Sequence, residues 1–79
     1  MDEPRYDAEV DCVGYYCPMP ISMTKEAIDN IQVGQVLKVE ADDPAAEPDL
    51  KAWAKHTGNA ILKFEKEGTL LRFYIKRLK

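Results

Sequence analysis

The sequence predicts a two-layer α/β (α+β) sandwich, with a mixed four-stranded sheet and two helices packed on one face. Three observations predict it. Apolar residues alternate with period two in four short stretches and recur at helical spacing in two others, in the order β-α-β-α-β-β. Glycine or an acidic-proline turn punctuates most of the boundaries. Strand–helix–strand units are right-handed, so both helices are expected on the same side of one sheet. The last two strands follow one another through a tight connection, which requires at least one antiparallel pair.

Residues 1–7 read as a polar leader. Ala8 to Val13 alternates and suits a first strand, with Val10 and Cys12 on its core side, and Gly14 ends it. Pro18 has a fixed φ and no N–H, so it suits the first position of a helix running through Ile31. Ile21, Thr24, Ala27, Ile28 and Ile31 share one side of that helix, and Gly34 closes it. Gln35 to Asp42 is the second strand, with Leu37, Val39 and Ala41 inward. Asp42-Asp43-Pro44 is a turn signal. The second helix starts near Ala46 or Glu47, because Pro48 fits only a first turn. Leu50, Trp53, Ala54 and Thr57 form its apolar stripe, and Gly58 ends it. Asn59 to Lys66 and Thr69 to Arg77 form a hairpin across Glu67-Gly68. Leu62 and Phe64 are expected to face Leu71, Phe73 and Ile75. The opposite face carries Arg72, Tyr74 and Lys76, with Val36, Ile61 and Leu70 among them.

The 79 residues suit one domain, 1–79, of which 8–77 is the folded part. The net charge of −3 gives no reason to expect direct nucleic-acid binding. The charge is uneven, with an acidic body up to residue 62 and a basic end after it, a dipolar surface that can orient a protein partner. No apolar run reaches the length of a membrane span. The polar start has no signal-peptide pattern, so the expected location is the reducing cytoplasm, where two cysteines read as chemistry or packing.

Cys17 is the candidate nucleophile. It lies in Gly14-Tyr15-Tyr16-Cys17-Pro18-Met19-Pro20, at the mouth of the first predicted helix. The amides and dipole of a helix start favour an anion, which for cysteine is the reactive thiolate. A depressed ionisation point for Cys17 is therefore expected. Cys12, five residues earlier, has two readings: a small buried hydrophobe, or a second thiol that closes a disulfide with Cys17. A metal centre is not expected, since two cysteines and His56 fall short of four ligands. The acids Glu40, Asp42, Asp43, Glu47 and Asp49 crowd the second turn and are expected to be solvated.

These residues resemble a family. Asp11, Gly14, Cys17-Pro18-x-Pro20, Asp42-Asp43-Pro44-Ala45, Trp53-Ala54 and Thr57-Gly58 are similar to the pattern of the TusA/SirA-like sulfur carriers, over about residues 8–77. The resemblance implies a β-α-β-α-β-β sandwich similar to the C-terminal domain of translation initiation factor three. It also implies that Cys17 accepts a sulfane sulfur as a persulfide, with Gly14, Pro18 and Pro20 as structural residues of the motif. The donor would be a cysteine desulfurase or a rhodanese-like protein, and the acceptor another protein thiol. The relay would serve tRNA thiolation, molybdenum-cofactor supply or sulfur metabolism. The covalent persulfide replaces any cofactor. Tyr15 stands where many members carry leucine, and Cys12 at a position that is usually not cysteine. Two alternatives remain: a regulatory or protein-binding module, and a thiol–disulfide redox protein using Cys12 and Cys17.

Overall fold

In the computed structural model, which describes residues 4–79, six elements follow the predicted order. They are β1 (Ala8–Asp11), α1 (Met19–Asp29), β2 (Val36–Ala41), α2 (Ala46–Thr57), β3 (Ala60–Glu67) and β4 (Leu70–Lys76). The sheet order is β1-β2-β4-β3. β1 and β2 are parallel neighbours, and β4 lies antiparallel to both β2 and β3. β2 and β3 therefore run in the same direction, and each helix is the crossover of a parallel strand pair.

Register fixes the core. Leu37, Val39 and Ala41 of β2 stand opposite Ile75, Phe73 and Leu71 of β4. All six are buried in one cluster with Ile28 of α1, Ile31 just beyond it, and Ala46 and Leu50 of α2. Both helices thus cover the same sheet face. Phe64 crosses to Phe73 with ring centroids 4.9 Å apart, and Trp53 packs half-buried on the cluster.

Three predicted details differ. The strand β3 contains a bulge between Ile61 and Lys63, so Ile61 turns to the core opposite Ile75. Leu62 is the extra residue and is 47% exposed. Period-two reading fails past a bulge, because one inserted residue exchanges the two faces. The hairpin turns on Gly68-Thr69, one residue later than expected. Its positive φ falls on Gly68 alone, as a type II′ turn requires. Thr57 is not part of the α2 stripe; its hydroxyl is partly exposed and donates to Trp53 O at 2.8 Å.

The helix α1 is shorter than predicted at both ends. Pro18 is its N-cap and Pro20 falls in its first turn. Its last turn contains no basic residue, and the chain end supplies one. The guanidinium of Arg77, after β4, donates from Nη1 to Ile28 O at 3.2 Å and to Ile31 O. A cation there satisfies carbonyls that the helix leaves open. Arg77→Ala is expected to cost about 1–3 kcal/mol, read as a lower urea midpoint at unchanged slope.

The other sheet face is a charged lattice. Arg72 donates to Glu40 at 3.0 Å, Glu65 at 2.8 Å and Glu67 at 3.0 Å. Tyr74 is fully buried there beneath Tyr6, with centroids 6.2 Å apart, and Lys38 Nζ sits 5.1 Å from the Tyr6 ring. Residues 1–3 of the expected leader lie outside the described residues. Of the remainder, Asp7 is tied to the sheet, donating its N–H to Val36 O and accepting from Val36 N.

Candidate functional site around Cys17

Parallel pairing of β1 and β2 puts both strand-to-helix loops at one end of the sheet, where α/β folds gather their functional groups. The Gly14–Pro20 loop after β1 therefore lies against the Asp42-Asp43-Pro44 turn after β2. Asp42 Oδ1 accepts the Gly14 N–H at 2.9 Å. Asp43 Oδ2 accepts the Cys17 N–H at 2.9 Å, while its Oδ1 accepts the Ala45 N–H at 3.1 Å. Asp11 Oδ1 takes the Val13 N–H at 2.9 Å. Gly14 bends the chain with φ +90°, where a β-carbon is disfavoured. The peptide between Cys17 and Pro18 is cis.

Asp42 and Asp43 are thus anchors of the cysteine loop and not solvated surface acids. Asp43 is buried. An acidic turn directly after a parallel strand was the signal for this role, and only the sheet topology says which loop it meets. Of the other acids, Glu40 joins the Arg72 lattice and Glu47 pairs with Lys51 at 2.9 Å. Asp49, in the first turn of α2, is close enough to act on the ionisation of Cys17.

Cys17 is exposed, but its ionisation departs from the expected direction. The Asp49 carboxylate is the first cause that raises its pKa; partial desolvation and the charge of Asp43 add to it. The helix mouth offers little in return. Pro18 and Pro20 have no N–H, Met19 N–H goes to Tyr16 O at 2.8 Å, and Ser22 N–H goes to Pro18 O at 3.1 Å. Two of the first-turn amides are missing and two are engaged, while the nearby charges of Asp49 and Asp43 disfavour the thiolate. These groups push the Cys17 thiol up from its ordinary range. Its alkylation rate is expected to climb with pH through a midpoint above the free-thiol value of about 8.5; a midpoint below that would contradict this arrangement.

The thiol stands in an apolar rim. Val13, Tyr15, Tyr16 and Met19 are all exposed, Tyr16 by 71%. A nearby depression of about 220 Å³, lined by Pro44, Glu47, Lys66, Gly68, Thr69 and Leu71, does not include Cys17. The sulfur is presented on a surface rather than in a cleft.

Cys12 has moved the other way. It lies just past β1, fully buried in the core. Burial, then the Asp11 charge, raises its pKa. Both cysteines are free. His56 is exposed in the last turn of α2. Among the described residues no group of His, Cys, Asp and Glu is placed to hold a metal ion, and no helix is long and apolar enough to cross a membrane.

Comparison with known proteins bears on the family and the fold. A family model described as sulfurtransferase TusA matches residues 8–77. A putative sulfur carrier protein of Archaeoglobus fulgidus is 42% identical over 72 residues, which span 90% of this chain and 94% of that protein. The sulfur carrier protein TusA of Allochromatium vinosum is 40% identical over 72 residues, 91% of this chain and 95% of that one. A crystal structure of a SirA-like protein from Desulfitobacterium hafniense superposes with a TM-score of 0.78 at 23% identity, covering 92% of this chain and all of that one; this likeness speaks for the fold. With a full-length sequence match, the matching sandwich and a surface thiol at the strand–helix junction, the chain belongs to the TusA family of sulfur carriers.

Proposed function

We propose that this protein carries sulfane sulfur as a persulfide on Cys17, with residues 8–77 as the carrier unit. The observation that supports it is an exposed thiol on a loop held by carboxylates of a second loop. The Cys17 sulfur attacks the outer sulfur of a donor persulfide. The new S–S bond forms on Cys17, the donor's S–S bond breaks, and its electron pair stays on the donor sulfur, which becomes a thiol when it takes the proton given up by Cys17. Sulfur then passes to an acceptor thiol by the same exchange, so no oxidant, metal or organic cofactor is needed. The donor is a cysteine desulfurase or rhodanese-like protein. The product is a thiolated tRNA, molybdenum cofactor or another sulfur compound, made in the cytoplasm. Gly14 and the two prolines shape the loop.

The buried position of Cys12 supports a one-thiol carrier over a disulfide exchanger. Incubation with a cysteine desulfurase and cysteine is expected to add one sulfur, about 32 Da, to the Cys17 peptide. No mass gain would leave a binding module as the better reading. Loss of both free thiols in a monomer after mild oxidation would favour the redox one.

A further inference from the structure

Three connections meet at the Cys17 end of the sheet, in the order set by the strands: the Cys17 loop after β1, the Asp42-Asp43-Pro44 turn after β2, and the β3–β4 hairpin. The depression of about 220 Å³ lies between the turn and the hairpin, with Pro44 on one side and Gly68-Thr69 on the other. The buried Leu71, paired with Ala41 at the end of β2, also lines it. Its lining is mostly apolar, and its volume falls below the range of about 300–1,000 Å³ typical of small-molecule sites. It suits one large apolar side chain. Lys66 lines it as well, and the acids nearest in sequence and space are taken: Glu47 by Lys51 at 2.9 Å, Glu67 by Arg72 at 3.0 Å. Among the described residues Lys66 has no ion pair of its own. A partner that covers Cys17 also covers this depression. A standard interface takes about 800 Å² from each partner, a patch about as wide as this domain, whose backbone measures 30 × 29 × 18 Å.

We propose that the depression beside Pro44 is a docking pocket for the sulfur-donor protein, and that it receives one large apolar side chain of the donor, with a neighbouring donor carboxylate on Lys66. The inference rests on the persulfide reading of Cys17. Transfer between two proteins needs both sulfurs held in reach and in line, and contacts at the Cys17 loop alone leave the donor free to turn about them. An anchor on the far side of the turn removes that freedom. The spacing of anchor and thiol is fixed, because Asp43 accepts the Cys17 N–H at 2.9 Å and the next residue, Pro44, walls the pocket. Large side chains seated in pockets carry most of the binding energy of an interface. Lys66 adds selection: a donor surface that is basic throughout suits the surrounding acids and clashes at this one point.

Two sulfur sources on the same set of proteins test this. Wild type, Thr69→Trp and Lys66→Glu are loaded from a cysteine desulfurase supplied with cysteine, and separately from inorganic polysulfide, with the mass gain on Cys17 as readout. Thr69 is exposed in the hairpin turn, so tryptophan there fills the depression without entering the core. Thr69→Trp is expected to raise the half-saturating desulfurase concentration by about tenfold, as when an anchor loses its pocket. Lys66→Glu is expected to raise it by about threefold, the scale of an exposed charge pair. Loading from polysulfide, which needs no docking, should stay at the wild-type rate in both variants. Lys55→Glu, exposed in the last turn of α2 at the opposite end, carries the same charge change and should leave both rates unaltered. Wild-type half-saturation in Thr69→Trp overturns the proposal, and so does a polysulfide rate that falls as far as the desulfurase one, since the damage then lies at the thiol. A wild type that loads from polysulfide and not from the desulfurase denies the pocket this partner. A wild type that takes sulfur from neither source fails the carrier reading itself.

Discussion

Cys17→Ser is expected to take up no sulfur. A hydroxyl cannot form a persulfide, and the other thiol of the chain, Cys12, lies inside the core. The loss should therefore be complete rather than partial, with intact-mass spectra showing the unmodified protein after exposure to a loaded donor. The fold should survive. Cys17 contributes its N–H to Asp43 and little buried surface, and serine retains that N–H and the side-chain volume nearly unchanged. The thermal midpoint is expected to stay within a few degrees, since a surface replacement away from a core or cap shifts stability by about 0.5 kcal/mol or less. Sulfur on the serine variant, recovered on another residue, would remove Cys17 from the role proposed for it.

The fold was legible because its signals are local. Alternation in Leu37, Val39 and Ala41, the helical spacing of Thr24 and Ile28, and glycines at Gly58 and Gly68 each constrain one element. Gly34, expected to close α1, instead sits in the turn before β2, and Asn30 is the C-cap of the helix. Their order then leaves few topologies. The misread positions depend on partners distant in sequence. Ile61 and Leu62 exchange faces at a bulge that no period-two pattern reveals. Arg77 caps a helix whose Ile28 carbonyl lies 49 residues before it. The site divides in the same manner. Cys17 and its prolines stand out in sequence, and the buried choice for Cys12 follows from its place on the inward side of the first strand. The acidic surroundings of Cys17 do not stand out, because Asp43 reaches its N–H only through the parallel pairing of β1 and β2. The helix mouth alone predicts a lowered Cys17 pKa, but Pro18 and Pro20 bring no amides, the Met19 and Ser22 amides are engaged by the Tyr16 and Pro18 carbonyls, and nearby carboxylates raise it.

Asp43→Ala carries the second large effect, because Asp43 joins the two loops that make the site. One carboxylate accepts from Cys17 N–H in one loop and from Ala45 N–H at the start of α2. Alanine leaves both donors without that acceptor in a region the side chain had kept from water. Hydrogen bonds to a charged acceptor are worth about 1.5–3 kcal/mol each, and some of this returns when water enters, so a loss of about 2–4 kcal/mol is expected. Against a total of about 5–15 kcal/mol for a small domain, that is a large fraction, readable as a drop in urea midpoint. Asp43→Asn retains one carbonyl acceptor and should fall between. The functional consequence separates from the structural one. In the folded fraction, removing the Asp43 charge makes Cys17 easier to ionise, so alkylation by a small reagent should quicken. Uptake from a protein donor should slow, because the loop that aims the sulfur is no longer fixed to the α2 start. Unchanged stability together with unchanged uptake would show that the Gly14–Pro20 loop holds its shape without Asp43, and the joint between the two loops would have to lie in Asp42 and Gly14 instead.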